Sequence, residues 1–112
     1  MKLTQNETLR GLAKTLENFA DFGDLTTAQI RTFLFVARRG RVTGQDIIKE
    51  LKMSKANAAR TLTILSDEVM VKRKTDTLAL ITYEIDVNDR RYRYAVLTEK
   101  GKKFAASLAV NF

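Results

Sequence analysis

The apolar residues of this chain keep two different rhythms, and the switch between them limits the fold more than any other feature. Up to Leu65 they recur at spacings of three and four, the period of an amphipathic helix. From Thr77 to Thr98 they alternate among β-branched and aromatic neighbours, the period of a strand. Helices followed by a hairpin imply an α+β chain, mainly helical.

The helical part divides at turn signals. Leu9, Leu12, Leu16 and Phe19 predict a first helix between Thr4 and Ala20, broken at Phe22-Gly23-Asp24. That stripe either packs on the chain's own core or pairs with a second copy, and residues 1–22 are the candidate dimerisation segment. In LTTAQIRTFLFVARRG, Thr26 and Gln29 have capping-box spacing, and Ile30, Phe33, Leu34 and Ala37 make an inner stripe that Gly40 ends. Two helices follow in quick succession. Thr43 caps the first with Asp46 at its third position, Ile47, Ile48 and Leu51 face inward, and the helix ends near Lys52-Met53. Ser54 caps the next, in which Ala58, Leu62 and Leu65 share one face.

The opposite face of that fourth helix is then fixed by helical geometry. It presents Ala56, Arg60 and Thr63, with Asn57 and Ala59 at its flanks and Lys55 near the N-terminus. Two short helices with a brief connection, the second small and polar outside, match a helix-turn-helix. Ala56 and Ala59 would let a backbone approach closely. Asn57 has the groups to read adenine bidentately and Arg60 those to read guanine. An ordinary helical hairpin with a solvated face would show the same pattern, so the chemistry needs further support.

The alternating segment supplies it. TLALITYEIDV and RRYRYAVLT, separated by the turn-prone Asn88-Asp89, predict a β-hairpin. Ile81, Tyr83 and Ile85 share one face, as do Tyr92, Tyr94 and Val96 on the returning strand, while Arg91, Arg93, Ala95 and Leu97 take the other. Arg90, Arg91 and Arg93 thus cluster at the hairpin tip.

Charge is distributed unevenly. Residues 1–30 hold three basic side chains against four acidic, net −1, and residues 31–112 hold seventeen against nine, net +8. Such an excess attracts a polyanion, either nucleic acid or an anionic surface. No predicted helix joins a strongly basic face to a large apolar one, which sets membrane binding aside. Arg38, Arg39, Arg41, Lys72, Arg73 and Lys102 are candidate contacts to a phosphate backbone.

At 112 residues and 45% hydrophobic content, residues 1–112 are expected to form one domain with a genuine core. Having no histidine and no cysteine rules out thiolate zinc sites, disulfides and most nucleophile–base pairs. The start MKLTQNETLRG has no apolar signal core, so a cytoplasmic protein is expected. No phosphate-binding glycine loop, GxSxG elbow or HExxH helix occurs. The carboxylate pairs Asp46 with Glu50, Asp67 with Glu68 and Asp86 with Asp89 fall on a helix surface, a helix end and a turn, where solvated acids are ordinary. No enzyme, cofactor or metal is expected.

The order of helix, helix-turn-helix, hairpin and closing helix, with LTTAQI, KMSKANAARTL and above all DRRYRYAVLTEKG, resembles the winged-helix regulators of the multiple-antibiotic-resistance (MarR) family. The likeness runs from about Leu25 to Gly101, a winged-helix core within 25–101. Its most specific piece is Asp89-Arg90-Arg91 followed by Leu97-Thr98-Glu99-Lys100-Gly101. The resemblance implies that Arg91 is the wing arginine that enters a minor groove, and Asp89 the acid that orients it. Val69 and Met70 stand where the family usually has a glycine, and the stretch from about Lys74 to Glu84 is longer than the family's, which implies a longer wing or an added strand. A single closing helix within 98–112, carrying Phe104, Leu108 and Phe112, replaces the long terminal helices that join family dimers.

Together these readings describe a winged helix-turn-helix that binds double-stranded DNA as a homodimer at a near-palindromic operator and regulates transcription. Ser54, Lys55, Ala56, Asn57 and Arg60 would act from the recognition helix, and Arg90, Arg91 and Arg93 from the wing. Leu9, Leu12, Leu16 and Phe19 would form the dimer. The alternative is a winged helix serving replication or partition, or docking an acidic protein.

Overall fold

The computed structural model describes residues 2–67 and 77–112. They form α1 (Gln5–Ala20), α2 (Thr27–Arg39), α3 (Gly44–Glu50), α4 (Lys55–Leu65), strands β1 (Ile81–Ile85) and β2 (Arg93–Leu97), α5 (Glu99–Leu108) and a closing 3-10 turn, Ala109–Asn111. The α+β architecture read from the two rhythms, and the winged helix that the resemblance implies, are therefore present. Lys72, Arg73, Val69, Met70 and the first part of the long stretch after Lys74 lie outside the described residues.

Each α-helix starts at a hydroxyl. Thr4, Thr26, Thr43, Ser54 and Thr98 accept a hydrogen bond from the backbone N–H of the third helical residue, and Glu7, Gln29 and Asp46 return the bond to Thr4, Thr26 and Thr43. Gly40 ends α2 at φ +87°, a conformation that costs glycine little. The end of α3 is less ordinary. Lys52 takes the left-handed position at φ 54°, and the Met53 N–H donates to the Ile48 carbonyl at 3.2 Å, the longer bond of a Schellman motif. Met53 is buried by that turn, and its sulfur accepts from Thr32 Oγ1 at 3.8 Å.

The core is built around aromatic edges. Phe33 of α2 stands edge-on to Phe19 of α1 and Phe104 of α5 at 5.7 and 5.5 Å, and Phe104 also meets Phe19 and Phe22 at 5.0 and 4.9 Å. These contacts lock α1, α2 and α5 together, and they divide the apolar stripe of α1. Phe19 is 1% exposed and packs in the chain's own core. Leu9, Leu12 and Leu16 stay 55%, 50% and 57% exposed, because only the last turn of α1 reaches Phe33 and Phe104. In α2, Leu34 is exposed, whereas Thr32, Phe33, Phe35 and Val36 are buried. That helix is covered from several sides, which widens its buried surface beyond one stripe.

The hairpin pairs Ile81 with Leu97, Tyr83 with Ala95 and Ile85 with Arg93. Directly opposed residues share a face, so Ile81 and Tyr83 lie with Ala95 and Leu97 toward the core. Tyr94 and Val96 lie with Glu84 and Thr82 on the outer face. Tyr94 of β2 and the isoleucines of β1 therefore lie on opposite faces. Strand pairing covers 81–85 rather than the whole of 77–87, and Val42 adds a bridge to Ala95 beyond the hairpin. Gly101 lets α5 cross closely behind β1, since a Cβ there would overlap the Leu80 carbonyl oxygen. The 3-10 turn folds back on α1, where Asn111 Nδ2 donates to Thr15 Oγ1 at 3.0 Å and to Asn18 Oδ1 at 2.9 Å. Among the described residues no helix is long and apolar enough to cross a membrane.

Candidate nucleic-acid interface

Burial of Ala58, Thr61, Leu62 and Leu65 fixes the rotation of α4 against the core. Its other side then faces outward with Lys55, Ala56, Ala59 and Arg60 exposed, and Asn57 half-buried at the edge. Ser54 is exposed at the N-cap, where its Oγ accepts from the Asn57 N–H at 3.1 Å. Asn57 also accepts from Thr61 Oγ1 at 3.4 Å through its Oδ1. Two alanines between longer polar side chains leave a low strip along the helix. The first turn is free of acids and carries Lys55, so the positive end of the helix dipole is uncompensated.

The wing tip is organised by two aspartates. Asp86 Oδ1 accepts from the Asn88 N–H at 2.8 Å, and Asp89 Oδ1 accepts from the Arg91 N–H at 3.1 Å, each a local turn built by a short acidic side chain. Asp89 does more, because Arg91 Nε and Nη2 donate to its Oδ1 and Oδ2 at 2.9 and 2.8 Å. The hydrogen bonds from Arg91 hold the Asp89 carboxyl below its ordinary range and push the guanidinium higher still. Arg91 remains 87% exposed. Its charge is thus displayed while its orientation is set.

The other arginines have different surroundings. Arg90 is exposed at the tip, and Arg93 folds over the Tyr83 ring with its guanidinium carbon 4.2 Å from the centroid. Arg41, in the connection between α2 and α3, stacks over Tyr94 at 4.0 Å and pairs with Glu84 at 3.6 Å. Arg38 and Arg39 lie over Phe35 at 5.9 and 5.3 Å, and Lys102 reaches Glu99 at 3.4 Å.

Between α3, α4 and the wing runs an open groove of about 510 Å³. Lys55, Ala59 and Thr63 line it from α4, and Tyr83, Arg91, Tyr92 and Arg93 from the wing. Among its described lining residues none is acidic, so Lys55, Arg91 and Arg93 from two separate elements give it a single sign. The N-terminus of α3, at Thr43, Gly44 and Gln45, forms one wall; helical periodicity gave no signal for this, since the contact depends on where the hairpin returns. The bracing of Tyr94 by Arg41 was likewise invisible in the sequence. Among the described residues no cluster of three or more potential ligands could hold a metal ion.

Known structures share this fold. A MarR-like transcriptional regulator from Thermotoga maritima is 25% identical, with 99% of this chain and 77% of that one covered at a TM-score of 0.66. A MepR–DNA complex from Staphylococcus aureus is also 25% identical, covering 96% and 77% at a TM-score of 0.65. An Escherichia coli MarR variant complexed with operator DNA shares the fold at 18% identity, over 87% and 62% of the two chains, with a TM-score of 0.63. A search of curated proteins gives no match. The MarR family model matches residues 23–79, a segment that holds α2, α3 and α4 in full. By that match, and by the fold that continues through the wing and α5, the chain belongs to the MarR family.

Proposed function

We propose that this protein regulates transcription by binding double-stranded DNA, with α4 in a major groove and the wing tip in the adjacent minor groove. The observation that carries the proposal is a groove without acidic lining that Lys55, Ala59 and Thr63 of α4 share with the oriented Arg91, while Asn57 and Arg60 stand on α4 outside that lining. Membership of the MarR family and likeness to a DNA-bound MepR support it. Arg60 and Asn57 are the proposed base readers, with Ser54, Lys55 and Ala56 as the close approach to the backbone. Arg91, oriented by Asp89, is the proposed minor-groove contact, and Arg90 and Arg93 flank it.

The working form proposed is a homodimer at a near-palindromic operator, in which two recognition helices about 34 Å apart meet successive major grooves. Exposed Leu9, Leu12 and Leu16 on α1 support a partner surface there. Selection of preferred duplexes from a random pool, with the stoichiometry of the bound species measured, tests both parts. A regulator selects one short site by several orders of magnitude over random sequence. Recovery of no preferred duplex would leave the winged helix as a docking module for an acidic protein. With on the order of six to ten phosphate contacts, affinity should fall about 10³- to 10⁵-fold between about 50 and 200 mM salt.

A further inference from the structure

The outer face of the wing carries a set of contacts that the groove does not use. Val42 and Ala95 exchange both backbone hydrogen bonds, Val42 N–H to the Ala95 carbonyl at 3.1 Å and Ala95 N–H to the Val42 carbonyl at 2.7 Å. This joins β2 to the connection between α2 and α3. Arg41, next to Val42, lays its guanidinium over Tyr94 at 4.0 Å and reaches Glu84, which lies directly across the hairpin from Tyr94. The Tyr94 hydroxyl donates to Asp86 Oδ2 at 3.2 Å, and the other oxygen of Asp86 holds the Asn88 N–H in the tip. A continuous path therefore runs from the start of the helix-turn-helix, across both strands, into the turn that presents Asp89 and Arg91.

We infer that Arg41 and Tyr94 are positioning residues that set the angle of the wing relative to α4. The inference rests on the DNA-binding reading above. It assigns Arg41 a role other than the phosphate contact that its charge alone would predict. The bridges from Val42 to Ala95 and from Ser66 to Ile81 anchor the base of the hairpin, but beyond them the two strands extend toward the tip on their own ladder, which alone gives little rigidity. Reading two adjacent grooves at once requires a fixed separation between α4 and Arg91, and a planar guanidinium stacked on a ring is a stiff link where an ammonium is not. Tyr94 is suited to the other half of the link, since its ring takes the stack and its hydroxyl takes Asp86. The hydrogen bond to Asp86 also pushes the Tyr94 phenol above its ordinary range.

The experiment compares wild type, Arg41→Lys, Arg41→Ala, Tyr94→Leu and Tyr94→Phe on the duplex selected by the wild type, across a salt series. Circular dichroism establishes that each variant is folded. Positioning predicts that Arg41→Lys, which keeps the charge, weakens binding about tenfold, nearly as much as Arg41→Ala. It also predicts loss of the preference for an A·T tract under the wing, with an unchanged salt slope. Tyr94→Leu should match these, and Tyr94→Phe should fall between them and wild type. In the free protein, Arg41→Lys should shift the ring resonances of Tyr94. The inference is overturned if Arg41→Lys binds as wild type while Arg41→Ala lowers the salt slope by about 0.9, the mark of one lost phosphate contact. It is equally overturned if Tyr94→Leu, folded, binds as wild type. A wild-type protein that prefers no duplex removes the DNA reading itself and the positioning role with it. That result is separable from the others because it precedes any substitution.

Discussion

Arg91 donates from Nε and Nη2 to the two carboxylate oxygens of Asp89, two residues earlier in the same turn, while 87% of its side chain remains open to solvent. An exposed ion pair of this kind contributes little to stability. Its effect is on orientation, because a long side chain that would otherwise sample many rotamers is fixed before any partner arrives.

Asp89→Ala therefore separates orientation from charge. Removing an acid beside three arginines should strengthen attraction to DNA if charge alone mattered. The pair predicts the opposite, a several-fold loss of affinity for the preferred duplex, read by fluorescence anisotropy. Tighter binding by Asp89→Ala would remove Asp89 from the proposed site.

The same pair sets a pH expectation. Folded Asp89 titrates below its ordinary value of about 3.9, so the contribution of its charged form is fully present above that value and is lost as pH falls through the lowered one. The chain has no histidine, the side chain that ordinarily changes charge near neutrality. Affinity measured from about pH 5 to 7 should be flat, and a step in that window would mean that a titrating group outside the proposed site takes part in binding.

The two reading elements should fail differently. Arg60→Ala or Asn57→Ala should cost roughly 1–3 kcal/mol on the preferred site and relax selectivity at one base position. Arg91→Ala should weaken binding to many sequences, most where an A·T tract narrows the minor groove. Identical specificity profiles for the Arg60 and Arg91 variants would contradict this division.

Leu12 and Leu16 are half exposed, so replacing both with Glu should leave the chain folded. If α1 forms the dimer, sedimentation should then report monomers with an unchanged circular dichroism spectrum. An unaltered dimer would move the interface off α1.

Gly101 offers a stability test away from the proposed site. The Cβ of Gly101→Ala would meet the Leu80 carbonyl, and backbone has little room to yield, so a loss of about 1–3 kcal/mol is expected in denaturant titration.

The helices were legible because their signals are local. Thr4, Thr26, Thr43, Ser54 and Thr98 each act within one turn, and Ala58, Leu62 and Leu65 fix the face of α4 without reference to the rest of the chain. What could not be read depended on contacts between distant segments. Phe19 and Leu16 look alike in a periodic stripe, yet only Phe19 meets Phe33 and Phe104. The faces of the wing depended on register, which pairs Tyr83 with Ala95 and leaves Tyr94 opposite Glu84. Asp89 and Arg91, two apart in one turn, needed only the local chain to meet; Arg41 and Tyr94 needed the whole hairpin to return.

The bridge between Val42 and Ala95 also bears on the order in which the molecule assembles. Helices α3 and α4 need only short loop closures, whereas the contact of Ala95 with Val42 closes a long loop that contains the helix-turn-helix and the first strand. The wing is thus expected to consolidate after the folding transition state. Substitutions at Val42 or Ala95 should then quicken unfolding far more than they slow folding, in contrast to substitutions at Ala58 or Leu62.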